Sequence, residues 1–180
     1  LRKEYRLFAP VRKKGAGRFL DIDAVIYDEV GEGTEIELEA KSDYSAKEAL
    51  TPLSETLFFF TEEQCKEALV FLRSCDLQAM KRLDQMYLGN GRENDWFYQR
   101  RREKIQYVLI GCSHSFDNCF CVDMGANITK DGYAFSVDKI DENYRINVLE
   151  EAVRSAFAAS SERQEEVVPR HVTENEVRVT

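Results

Sequence analysis

Apolar residues are spaced in two different ways along this chain. Between Tyr5 and Leu38 they form short extended runs, Tyr5–Ala9, Ala24–Tyr27 and Ile36–Leu38, with Phe19 between the first two. Pro10, Gly15-Ala16-Gly17 and Gly31-Glu32-Gly33 interrupt them. Such runs, broken by turn-forming residues, predict an antiparallel β meander. From Ala68 the pattern changes. Ala68–Leu72 is continuously apolar, which predicts a strand buried on both faces. The next stretch, Asp76–Leu88, sets Leu77, Met80, Leu83 and Met86-Tyr87 on one helical face before Gly89-Asn90-Gly91 stops it. A second helix is expected over Asp95–Lys104 and a second buried strand over Tyr107–Ile110, closed by Gly111.

Strand, helix, helix, strand at these lengths predicts a parallel crossover. The expected fold class is therefore α/β: a mixed sheet with a parallel crossover core and an amino-terminal antiparallel meander. Gly132–Val137 and Tyr144–Val148 read as a hairpin around Asp141-Glu142-Asn143, and Glu150–Ala159 as a closing helix. Ser45 with Glu48 forms the pattern of a capping box for a short helix that ends before Pro52. Leu57–Phe60 is a compact apolar run, and Thr61-Glu62-Glu63 after it is a second helix start. No internal repeat or low-complexity tract is present. Residues 1–160 are expected to form one domain, with 161–180 a polar tail or linker.

Charge narrows the function classes. Lys and Arg total 25 against 33 Asp and Glu, a net charge of −8. That balance argues against broad electrostatic binding to nucleic acid or an anionic membrane, both of which need a basic footprint. No apolar run approaches the roughly 20 residues of a membrane span, and no charged-then-apolar leader opens the sequence. The expected location is the cytoplasm. A first residue that is Leu, and a polar final stretch, point to a piece of a longer protein.

Five cysteines then need explaining. Cys75 follows the first buried strand and Cys112 the second, so parallel pairing sets both at the carboxyl edge of the sheet, where ligands of open α/β sheets bind. Cys119 and Cys121 lie within nine residues of Cys112, beyond a loop over Ser113–Asn118 short enough to fold back over that edge. Four converging thiols suit a soft metal centre, an iron–sulfur cluster or zinc. Asp76 is an alternative oxygen ligand. The start of a helix at Cys75 is expected to lower its thiol pKa, and backbone N–H groups over Ser115–Asn118 are candidate donors to the sulfurs. The plainer reading takes strand-end cysteines as small buried apolar residues. Cys-x-Cys is a less usual zinc spacing than Cys-x-x-Cys. Cys65 reads as a free structural thiol. His114 and His171 lack a Ser or Asp partner in a recognisable arrangement and read as surface residues. Arg100-Arg101-Arg102 reads as a helix-end cap, or as a shield for a negative cluster.

These segments resemble one family, the iron–sulfur electron-transfer subunits of anaerobic sulfite reductase. Arg73 to Asp84 is similar to that family's R-x-C-D-x-x-A-x-x-x-L-D segment. Asp95 to Arg102 resembles its D-x-x-Y-x-x-R-R stretch, and Cys112 to Gly125 its pair of cysteines around Phe followed by Met-Gly. Ser45–Glu48 and Pro52–Phe58 also resemble its upstream segments, so the likeness runs over about residues 5 to 180. Related proteins are the sulfhydrogenase beta subunits. The resemblance implies an electron-transfer role with 4Fe–4S clusters. It also implies two partners: a flavin-containing NADH-oxidising subunit, together with a sirohaem subunit that reduces sulfite. Cys75, Cys112, Cys119 and Cys121 match the family's amino-terminal cysteines and are the expected ligands of one cluster. Full-length members continue into a ferredoxin-like region with repeated Cys-x-x-Cys motifs, which this sequence lacks, so the chain reads as the amino-terminal domain alone. The alternatives are a structural zinc or metal-free docking module of a sulfhydrogenase-like complex, and a thiol redox sensor using Cys119 and Cys121.

Overall fold

A computed structural model describes residues 1, 4–18, 21–51, 67–158 and 167–176. Its six strands are β1 (Arg6–Lys13), β2 (Ala24–Glu29), β3 (Ala68–Leu72), β4 (Ile105–Ile110), β5 (Phe135–Ile140) and β6 (Asn143–Val148). They form one sheet in the order β2-β1-β3-β4-β5-β6. The inner four strands run parallel, and the two outer pairs are antiparallel. The α/β class with a mixed sheet is the fold observed.

All five side chains of β3 are buried, because helices and loops cover both faces of the sheet at its centre. Leu69, Phe71, Val108, Ile110, Phe135 and Val137 pack on one face with Val153 of the closing helix α3 (Glu151–Ala158). On the other face Val70, Leu72, Tyr107 and Leu109 meet Leu77 and Met80 of α1 (Ser74–Leu88) and Tyr98 of α2 (Trp96–Arg102). These two helices are the crossover between β3 and β4. Asp95 caps α2 by accepting from the Tyr98 N–H at 2.8 Å, and Gly89 ends α1 with its N–H on Gln85 O at 3.2 Å.

The amino-terminal meander is narrower than expected. It is the hairpin of β1 and β2, with no third strand at Ile36–Leu38, where the Glu37 N–H bonds only to Pro10 O at 2.7 Å. Nor does Pro10 end the first strand. β3 pairs with β1 only over Arg6–Phe8, so the missing N–H of Pro10 lies beyond that ladder and costs β1 no bond to β3. The short helix after Ser45 is a 3-10 turn, Ala46–Ala49, with the Ser45 side chain accepting from the Lys47 N–H. The apolar run Leu57–Phe60, the helix start at Thr61, the family-like segment Pro52–Phe58 and Cys65 lie outside the described residues.

Candidate functional site

The carboxyl edges of β3 and β4 coincide, since Leu72 is the partner of Leu109 in the ladder. The chain leaves β3 through Arg73 into α1, so Cys75 stands in the first helical turn. It leaves β4 through Gly111 to Cys112. The connection from there to β5 contains no helix, and it holds Cys119 and Cys121. A turn sets this loop: Cys119 N–H bonds Phe116 O at 2.8 Å, and Ala126 N–H bonds Cys121 O at 2.7 Å, with Gly125 in the left-handed region at φ +63°.

None of these four thiols is bridged; Cys75 is exposed and the other three are half-buried. Cys75 lies within electrostatic reach of Cys112 and Cys121, and Cys121 within reach of Cys112 and Cys119. Although part of Cys75 meets solvent, the atoms crowded around it strip away much of its water. That desolvation pushes the thiol up to about 12, and the charges of Asp76, Cys112 and Cys121 add to the effect. Cys121 is raised by burial and then by Cys119 and Cys112. The helix start therefore does not lower the Cys75 pKa as expected. Desolvation and three neighbouring acids outweigh the helix end and the single Asp76 N–H that bonds the sulfur.

Asp76 has a structural task. Its carboxylate accepts the backbone N–H of Arg73, closing half of a capping box at the start of α1. Burial raises its own pKa. The backbone donors to Cys121 are its own N–H and that of Val122, one turn later than the Ser115–Asn118 stretch expected for this role. The exposed ring of His114 packs edge-on against Phe116, and His171 is likewise exposed.

Arg100, Arg101 and Arg102 stay with α2 and its surroundings, in keeping with the helix-end reading. Arg102 pairs with Asp84 at 3.0 Å and bonds Ile105 O, while Arg101 bonds Leu50 O and Arg100 lies over Trp96. All three serve α2 and its packing. The cation at the cysteines is Arg73, 8% exposed, with Nη1 donating to Cys112 Sγ at 3.3 Å. Sequence reasoning passed over it. The available signal was a charged residue directly after a fully apolar strand, at the edge where two cysteines meet.

Residues 167–176, within the stretch expected as a tail, fold back over the site. Cys112 N–H bonds Arg170 O at 3.0 Å, Asn127 bonds Val172 O at 2.8 Å, and Cys121 Sγ lies 3.7 Å from Asn175 Oδ1. Beside Cys112 is a polar cavity of about 220 Å³ bordered by Glu39, Gly111, Ser113, Asp138, Lys139 and Arg170.

Comparison with known proteins bears on these residues. Over 150 residues the chain is 26% identical to sulfhydrogenase 2 subunit beta of Pyrococcus furiosus. It is a distant relative of that protein. The match takes in 82% of this chain but only 43% of the relative's length. No family model matches, and no solved structure matches.

The donor chemistry of the site can be tested against a metal group. Among the described residues, no three His, Cys, Asp or Glu side chains stand together as ligands of one ion. A zinc ion holds its thiolates at about 2.3 Å, which draws the four sulfurs within roughly 4 Å of one another. A four-iron cluster takes each thiolate on a different iron and accepts a wider set. Four unbridged thiols, backbone N–H groups on Cys75 and Cys121, and a guanidinium on Cys112 are the donor chemistry of a thiolate-held metal group.

Proposed function

We propose that this chain is an electron-transfer domain that holds one 4Fe–4S cluster through Cys75, Cys112, Cys119 and Cys121. The observation that carries the reading is the placing of Cys75 and Cys112 at one sheet edge with Cys121 near both, Cys119 lying two residues from Cys121. Thiols gathered in this way favour a cationic centre, which takes them as thiolates. A cluster bound there supplies storage of one electron at a time. The chain's part is to hold four thiolates, cover Cys112 and Cys121 with residues 167–176, and supply hydrogen bonds that tune the potential.

The likeness to a sulfhydrogenase beta subunit supports a place in a multisubunit redox complex. In that setting the domain takes electrons from a flavin-containing NADH-oxidising subunit, then passes them toward a reducing partner. A sirohaem sulfite-reducing subunit is the acceptor that the anaerobic sulfite reductase resemblance implies, and the cytoplasm is the compartment in which such a complex works. No helix among the described residues is long and apolar enough to cross a membrane. Asp76, engaged with the start of α1, is the less favoured ligand.

The test is anaerobic purification followed by assay of iron, acid-labile sulfide and the visible spectrum. About four irons and four sulfides per chain, with a broad band bleached by dithionite, are expected. Cys119→Ser removes the band and Cys65→Ser keeps it. Stoichiometric zinc in place of iron refutes the reading and favours the structural docking module.

A further inference from the structure

We infer that Arg73 is a positioning residue that binds the sulfur of Cys112, ties it to the 38–40 segment, and raises the reduction potential of the centre held there. The inference rests on the cluster reading above and concerns a residue outside the ligand set.

Arg73 is a buried cation with an unusual set of partners. Nη1 donates to Cys112 Sγ at 3.3 Å, while Nη2 faces three consecutive carbonyls, Leu38 O at 3.0 Å, Glu39 O at 3.3 Å and Ala40 O at 3.2 Å. The guanidinium carbon lies 5.0 Å from the ring centroid of Phe116, in the cysteine loop. Four chain segments thus meet at one side chain: the end of β3, the 38–40 turn, Cys112 two residues beyond β4, and the loop before Cys119. The planar fork suits this task, since its separate nitrogens reach the sulfur and the carbonyls at once while its face stacks on a ring. A lysine at this position offers a point charge and no fork.

Among the described residues no carboxylate hydrogen-bonds this guanidinium, although the Asp76 carboxylate lies within its electrostatic reach. Its hydrogen bonds go to neutral carbonyls and to a sulfur, so the acidic group it touches directly is Cys112. At a cluster with four thiolate ligands, each added electron increases negative charge on the sulfurs. A buried cation bonded to one of them stabilises the reduced form more than the oxidised form, and the potential rises. No bond is made or broken: in a titration with dithionite the centre gains one electron, the dithionite loses it, and the guanidinium stays protonated.

The experiment uses the full chain, purified without oxygen, with potentiometric titration of the wild type, Arg73→Gln and Arg73→Lys. Removing the charge is expected to shift the reduction equilibrium at least tenfold toward the oxidised form, about 59 mV for one electron. Arg73→Lys recovers part of the shift. A fully loaded Arg73→Gln protein with the wild-type potential overturns the inference. A second measurement needs no variant. Wild-type protein carrying arginine labelled with nitrogen-15 in the guanidinium group is reduced and examined by pulsed electron paramagnetic resonance. A nitrogen-15 coupling to the centre is expected, and its absence overturns the inference even where the variants fail to fold. Protein that binds no iron refutes the cluster reading and this inference together. Iron present with neither shift nor coupling refutes Arg73 alone.

Discussion

Gly111 is where the strand end and residues 167–176 are locked together, and Gly111→Ala tests that lock. A Cβ at this position would overlap Oδ1 of Asp138 outright, and it would lie 2.8 Å from the Asp138 Cγ and 3.3 Å from the Arg170 Cβ. The first two atoms belong to a short side chain that is 2% exposed, so it has little room to retreat. Its oxygens accept the Arg170 N–H at 3.1 and 3.3 Å. Displacing Asp138 breaks a hydrogen bond to a buried carboxyl group and leaves both partners short of one. A loss of about 3 kcal/mol follows, at the low end of the cost of breaking a buried charged interaction. For a chain of this size the melting temperature falls by roughly 6–12 °C. Urea denaturation checks it, with a lower midpoint at an unchanged slope. In the Asp138→Ala background the same glycine substitution should cost far less, because the obstacle is gone. Gly111→Ala within about 0.5 kcal/mol of the wild type, the usual scatter of a neutral surface change, refutes the reasoning.

Two acids respond to pH with opposite signs. Burial of Glu37 favours its protonated form, but the N–H groups of Ala40 and Glu39 and the Arg12 guanidinium together hold its carboxyl below its ordinary 4.5. Its contribution is present above that value and lost as pH falls through the lowered one, so Glu37→Gln flattens the acid side of a plot of urea midpoint against pH. Burial of Asp138 raises its pKa above 3.8, so the folded chain holds that proton more tightly than the unfolded one. The stability it lends is full below 3.8 and declines as pH rises through the raised value; Asp138→Asn removes the decline, seen as a smaller midpoint difference between pH 4 and pH 7. Asp95→Ala, by removing the cap on α2, lowers stability by about 1 kcal/mol in urea denaturation.

The crossover core was legible because each signal was local and repeated. Ala68–Leu72 and Ile105–Ile110 are apolar at nearly every position, and the helices between them carry their apolar residues on one side. Periodicity of this kind reports burial directly. The convergence of Cys75 with Cys112 followed from the same pattern, because parallel neighbours share a carboxyl edge. Less legible was Ile36–Leu38, whose β-like composition is spent on a segment that only lies along Pro10. Composition reports that a residue fits a pleated, half-buried surface, and a covering segment provides one without joining the ladder. The Cys75 pKa went the other way from expectation for a similar reason. A helix start is visible in sequence, whereas desolvation and three acidic neighbours are properties of the assembled edge.

By itself, then, the order of apolar and polar residues determined the strands and helices of the parallel crossover and the carboxyl edge on which Cys75 and Cys112 stand. Each of these depends on spacing along the chain, which folding does not alter. Only the tertiary structure decided that Arg73 supplies the cation at the sulfur and that residues 167–176 close over the site. Arg73 meets Leu38 and Cys112 across 35 and 39 residues of chain, and Asp138 meets Arg170 across 32. Contacts at such separations arise from the twist and stacking of whole elements, and no local pattern encodes them.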